Sequence, residues 1–159
     1  MPKSKTLNIL FCGTGGHGVL TAAEVCGIAA LFEGCHVKKS EVHGMAQRGG
    51  SVESHLRFGK QVFSPLIPKG GADYLVCFDQ TEGERLKNSL SPKGINLIQY
   101  LAKAQASLED KRYVNTYLLG VLSKYLPIKE ENWLEALEQI FSSKNLAENK
   151  RVFLLGRGK

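Results

Sequence analysis

The apolar run TLNILFCG, residues 6–13, passes directly into GTGGHG, residues 13–18, and this junction constrains the fold more than any other stretch of the chain. A short apolar segment closed by glycine suits a buried strand. Beyond the turn, residues 19–33 set Val19, Ala22, Ala23, Cys26, Ala29 and Ala30 at helical spacing, with Glu24 and Glu33 off that stripe. The order is therefore strand, glycine turn, helix. Gly34 ends the helix, and CHVKKSEV, residues 35–42, supplies a second strand where a βαβ unit needs one.

GTGGHG fits G-x-G-x-x-G in the strand-to-helix context that the fingerprint requires. Gly13, Gly15, Gly16, His17 and Gly18 are thus candidate ligand-binding residues, because such a turn brings backbone N–H groups and a helix N-terminus to a point an anion can approach. The plain alternative is a tight connection that only glycine permits. A dinucleotide site also asks for an acidic residue about 20 positions further on. The chain has Lys38, Lys39 and Ser40 there, so an NAD(P)-binding reading is the weaker one.

Further along, SVESHLRF alternates Val52, Ser54, Leu56 and Phe58 with Glu53, His55 and Arg57, a strand of period two. FGKQVFS predicts a turn at Gly59-Lys60 into another short strand, a β-hairpin near Gly59. Pro65 and Pro68 bound a rigid loop, ADYLVCFD (72–79) reads as a buried strand, and a helix is expected over 81–88. GINLIQY suits a strand and LAKAQASLED a helix. The last third is helical, through RYVNTYLLGVLSKYL, EENWLEALEQIF and KNLAENKRVFLL, with Trp133, Leu134, Leu137, Ile140 and Phe141 on one apolar face. The expected fold is an α/β three-layer, Rossmann-like domain with a largely parallel, mixed sheet, the hairpin near Gly59 and a helical C-terminal part. Without repeats or a low-complexity linker, residues 1–159 form a single domain.

Composition narrows the function classes. The 21 basic residues against 15 acidic ones give a net charge of +6, but the cations are scattered and no aromatic residues interleave with them, which argues against nucleic acid. No apolar run is long enough to cross a bilayer and the first residues lack a secretory pattern, so no membrane contact and a cytoplasmic location are expected. Cys12, Cys26, Cys35 and Cys77 show no C-x-x-C pair and no histidine at metal-ligand spacing, so they are expected to be reduced structural thiols. Neither a metal site nor a catalytic residue is assigned to this chain.

The stretch EVHGMAQRGGSVESHLRF, residues 41–58, concentrates hydrogen-bonding chemistry beside permissive backbone. His43 and Gln47 donate or accept, Arg48 presents a rigid fork suited to carboxylate or phosphate, and Gly49, Gly50 and Ser51 complete a candidate recognition loop. The competing reading makes Arg48 the tie of an internal network, and for Ser54 and His55, inside the strand pattern, that structural role is preferred.

Together, GTGGHG, SEVHGMAQRGGSVESHLRFG, SPLIPKGGADYLVCFD, NTYLLGVLSKYL and EENWLEALEQ resemble the gamma subunit or domain of 2-oxoacid (pyruvate/ketoisovalerate) ferredoxin oxidoreductases, and the HGMAQRGG form is most similar to the beta subunit of the indolepyruvate enzymes. The resemblance implies a gamma-type catalytic domain over residues 1–159 that works as a non-autonomous subunit. Such an assembly decarboxylates a 2-oxoacid, here an aryl-pyruvate, to an acyl-CoA and passes electrons to ferredoxin. It also implies coenzyme A near the glycine turn and the loop around Arg48, with thiamine diphosphate and iron–sulfur clusters on partner subunits and ferredoxin met only indirectly. The alternative is a stand-alone anion- or nucleotide-binding module. Two departures stand out: His17 replaces the usual glutamine, and the stretch between Asp79 and Asn115 is shorter than usual, which predicts a reduced sheet.

Overall fold

A computed structural model describes residues 5–44 and 49–159. Its five strands are β1 (Leu7–Thr14), β2 (His36–His43), β3 (Ser51–Gly59), β4 (Ala72–Cys77) and β5 (Leu90–Asn96), and they form one sheet in the order β2-β3-β1-β4-β5. β3 runs antiparallel to both its neighbours, while β1–β4 and β4–β5 are parallel. Four strands thus point one way and β3 alone opposes them. The sheet is mixed, as expected, but β2 is not the next neighbour of β1. Instead β3 folds back between them, with Ile9 opposite Leu56 on one side and Leu56 opposite Lys39 on the other.

The hairpin expected near Gly59 is corrected by this topology. Residues 60–71 contain no strand, and Gly59 is the last residue of β3, paired with His36 at the start of β2. A Cβ at Gly59 would lie 2.8 Å from the Lys5 carbonyl oxygen and 3.0 Å from the Thr6 Cα, so glycine here accommodates the chain entering β1 rather than a reversal. The reversal between β2 and β3 lies at the other end, where His43 pairs with Val52. The stretch after Asp79, despite its length, also supplies a fifth strand: the helix α2 (Gln80–Leu86) leads to β5, and α3 (Leu101–Ser107) follows a 3-10 turn over LIQY.

Alternation along the strands assigns the two faces. Ile9, Phe11, Val52, Leu56, Phe58, Val76 and Phe78 join the larger core with α1 (Val19–Phe32), α3, α4 (Val114–Ser123), α5 (Glu130–Ile140) and α6 (Ser143–Gly156). α1 is buried almost all round, since the sheet takes one side and α4 and α5 the other; its alanines allow the close approach. Trp133 and Phe153 stack at 5.5 Å between α5 and α6. On the opposite face Leu10, Cys12, Ile67, Ala72, Leu75 and Cys77 form a smaller core under α2 and the 60–71 loop. This is the three-layer arrangement.

One cysteine expectation is overturned. Cys12 and Cys77 are partners across the parallel β1–β4 ladder, with Cα atoms 4.8 Å apart, and are joined as a disulfide. Because both side chains leave the sheet on the same face, register alone brings them together. Cys26 and Cys35 are buried and lie outside the disulfide, and burial pushes the Cys26 thiol far up from its ordinary range. Among the described residues no helix is long and apolar enough to cross a membrane.

Candidate functional site

β1 and β4 lie side by side and parallel, but the chain leaves β1 toward α1 on one face and leaves β4 toward α2 on the other. Such a reversal opens a crevice at the carboxyl ends of the two strands, the usual ligand position in open α/β sheets. GTGGHG occupies that crevice. Phe78, directly after β4, donates its N–H to the Cys12 carbonyl at 2.9 Å and holds the two strand ends together.

The turn is braced from within and from the neighbouring loop. The Gly15 N–H donates to the Gly50 carbonyl at 3.0 Å, and the His17 N–H donates to the Thr14 carbonyl at 3.2 Å. His17 Nδ1 accepts the Thr14 N–H at 3.2 Å, which leaves the ring proton on Nε2. Gly18 stands at φ 73°, a left-handed geometry that favours glycine, and its carbonyl accepts from Asn115 Nδ2 at 3.2 Å. A Cβ at Gly18 would run into the Asn115 amide. The expectation that the whole turn points free N–H groups outward is therefore reduced. What remains is Gly16 and the first turn of α1, whose N–H groups have no intrahelical acceptor and no side-chain cap.

Two cavities flank the turn and share Gly16. One, of about 470 Å³, is lined by Thr14, Gly15, Gly16, Gly18, Val19, Leu20, Thr21, His43 and Val52, so the uncapped start of α1 opens into it. The other, of about 300 Å³, has Phe78 and Val114 as apolar walls and His17, Gln105, Lys111 and Arg112 as polar ones. Lys111 donates to the carbonyls of Leu108 and Gln105, and Arg112 forks onto Asp110 at 2.6 Å, holding that carboxyl below the usual range. A smaller recess of about 120 Å³ joins Gly15 and His43 to Gly44, Gly49 and Gly50.

The structure thus gathers Gly15, Gly16, Gly18, His43, Gly49 and Gly50 at one place, with His17 facing the second cavity. Gly13 sits within β1, opposite Val52, packed against Val19. Ser51 borders the small recess, and its hydroxyl donates to Glu82 at 2.7 Å. Glu82 in turn binds Arg85 at 2.7 Å, and Arg85 reaches Glu53 at 3.2 Å. The hydrogen bond to Glu82 is the main reason the Arg85 guanidinium is held above its ordinary range. Gln47 and Arg48 lie outside the described residues. His55 has the structural role expected of it, accepting the Ile67 N–H on Nδ1 at 3.2 Å. Sequence reading missed Asn115, Phe78, Gln105, Lys111 and Arg112. For Asn115 a signal existed, an amide near the head of the largely apolar stretch VNTYLLGVLS.

The family described as Pyruvate ferredoxin/flavodoxin oxidoreductase matches residues 8–102, which include the whole glycine turn and all of the sheet but Leu7 at the start of β1. The chain belongs to that family. It is 45% identical over 91 residues to Indolepyruvate oxidoreductase subunit IorB of Thermococcus kodakarensis, a match covering 57% of this chain and 45% of the relative. The match to such curated relatives spans about half their length. The fold is shared with the keto/oxoacid ferredoxin oxidoreductase gamma subunit from Geobacter sulfurreducens (TM-score 0.77, 19% identity, 94% of this chain and 95% of that one). It is shared too with the 2-oxoglutarate:ferredoxin oxidoreductase from Magnetococcus marinus with 2-oxoglutarate, coenzyme A and succinyl-CoA bound (TM-score 0.81, 19% identity, 98% of this chain and 31% of that one).

Proposed function

We propose that the chain is a non-autonomous subunit of a 2-oxoacid ferredoxin oxidoreductase acting on an aryl-pyruvate, and that its part is to hold coenzyme A at the glycine turn. The observation that carries this is the joining of Gly15 to Gly50, which sets the cavity at the uncapped start of α1 beside the small recess lined by Gly44, Gly49 and Gly50, with Gly15 and His43 bordering both. A helix start without a cap favours a phosphate group, through both its free N–H donors and its dipole. Gly16, Val19, Leu20 and Thr21 would hold that anion, with His43 beside it. Arg48, whose fork suits phosphate, comes from the same loop. Coenzyme A supplies the thiol that accepts the acyl group. This chain's residues bind and orient it.

Family membership favours this reading over a stand-alone nucleotide-binding module. Thiamine diphosphate and the iron–sulfur clusters are assigned to partner subunits. Cys12 and Cys77, tied to each other, are not available as cluster ligands. The test is calorimetric titration of coenzyme A into the wild type and Arg48→Lys. The lysine variant should melt as the wild type does while its affinity falls at least about tenfold, because the charge stays and the fork is lost. Unchanged affinity with a large drop in melting temperature would make the loop architecture and end the coenzyme A assignment.

A further inference from the structure

The loop 60–71 presents an arrangement that nothing in the glycine-turn site uses. Val62 and Ile67 are buried, whereas Phe63 is 82% and Leu66 54% exposed, and Phe63 is the most exposed of the large hydrophobic residues described. An exposed phenylalanine on a slack loop would be unremarkable, but this loop is pinned. The Val62 N–H donates to His36 Nδ1 at 2.9 Å, the Ile67 N–H to His55 Nδ1 at 3.2 Å, and the Gly71 N–H to the Pro68 carbonyl at 2.9 Å. Arg57 donates to the Ser64 carbonyl at 2.8 Å while its Nε holds Asn8, itself bonded to the Gly71 carbonyl at 2.9 Å. Pro65 and Pro68 fix two further backbone angles. The ordering entropy of the loop is spent on folding, so a partner that covers Phe63 and Leu66 need not supply it.

Charge identifies what kind of partner fits. Between Glu53 and Asp73 the chain carries Arg57, Lys60 and Lys69 and no carboxylate, and Lys60 and Lys69 are exposed. A second copy would set lysine against lysine in a self-complementary contact. A membrane surface usually calls for four or more clustered cations and a larger apolar insertion than two side chains. We infer that Phe63 and Leu66, on a loop flanked in sequence by the exposed Lys60 and Lys69, form the docking surface for another protein chain that offers an apolar pocket with an acidic rim. Resting on the subunit reading above, that chain is the thiamine-diphosphate-carrying subunit of the same enzyme. An aromatic anchor in an apolar pocket with charged surroundings is the usual build of an interface hot spot. The cations then act mainly on the rate of encounter.

The experiment measures the affinity of the full chain for the thiamine-diphosphate-binding subunit of its own host, at low and high salt. Phe63→Ser and Leu66→Ser should each weaken binding, the former by roughly 30-fold or more. Lys60→Glu with Lys69→Glu should slow association and flatten its salt dependence. Melting temperatures should not change, because these side chains already face solvent. Leu31→Ser, an exposed leucine on α1 on the opposite face of the sheet, should bind as the wild type does. Wild-type affinity in Phe63→Ser would place the interface elsewhere and leave the subunit reading standing, whereas no binding by the wild type would end both. A homodimer dissolved by Phe63→Ser, or sedimentation with phosphatidylserine vesicles abolished by it, would overturn the proposal in favour of a second copy or a membrane.

Discussion

Gly15 donates its backbone N–H to the carbonyl oxygen of Gly50 across 3.0 Å, so the glycine turn and the loop after β2 are one structural unit although 35 residues separate them in sequence. A Cβ at Gly15 would lie 3.5 Å from the Gly49 nitrogen, an ordinary contact, but the additional carbons of a β-branched residue would press on Gly49 and Gly50. Gly15→Ala should therefore keep coenzyme A affinity within about threefold, and Gly15→Val should weaken it at least about tenfold, or 1.4 kcal/mol. Calorimetry on both variants, with circular dichroism to confirm folding, measures the difference.

Gly18 and Asn115 form a second such pair. Gly18→Ala meets both a left-handed φ of 73° and the Asn115 amide, and should destabilise the protein by about 2 to 4 kcal/mol. Asn115→Ala should cost about 1 to 2 kcal/mol through the lost bond to the Gly18 carbonyl. In the double variant the clash is absent, so urea denaturation should show clearly less than the sum of the two losses.

What could be read from the sequence followed the distance over which each feature is encoded. The β1–turn–α1 unit was legible because its strand, glycines and helical stripe are contiguous, and α5 was legible because Trp133 and Leu137 share one face. The place of β3 between β2 and β1 was not, since alternation in SVESHLRF fixes which side chains point inward but names no neighbour. FGKQVFS misled in the same way: a glycine beside apolar residues suits a turn, and only the Lys5–Thr6 backbone lying over Gly59 shows why it ends a strand instead. The crevice residues Phe78, Lys111 and Arg112 come from three-dimensional closure, as does the Cys12–Cys77 partnership across 65 residues.

That partnership gives a chemical prediction. Denatured without reductant, the protein should expose two titratable thiols, from Cys26 and Cys35, and four after reduction. A cross-link closing so long a segment commonly contributes about 2 to 4 kcal/mol, so Cys12→Ala/Cys77→Ala should lower the denaturation midpoint to match. Four reactive thiols in the unreduced protein would refute the pairing.

The C-terminal helices carry a pH dependence. Lys159 lies 2.6 Å from Glu130 and Arg157 Nε 2.9 Å from it, and chiefly the Lys159 bond holds the Glu130 carboxyl below its usual range. Its folded pKa is lower than its unfolded one, near about 4.3, so the contribution is present above that value and is lost as pH falls through the folded pKa. Glu130→Gln should cost about 0.5 to 1 kcal/mol at neutral pH, the worth of a solvent-screened pair, and nothing once the carboxyl is protonated. Wild-type and Glu130→Gln melting curves should therefore differ at pH 7 and converge in the acid range.

Purification of the tagged chain from its native host, with iron and thiamine diphosphate assayed in the eluate, tests the central claim most directly. Stoichiometric larger subunits carrying both cofactors are the expected result, together with reduction of ferredoxin by an aryl-pyruvate that needs coenzyme A and fails when this chain is omitted. A chain that elutes alone, or that turns over the aryl-pyruvate by itself, would contradict it.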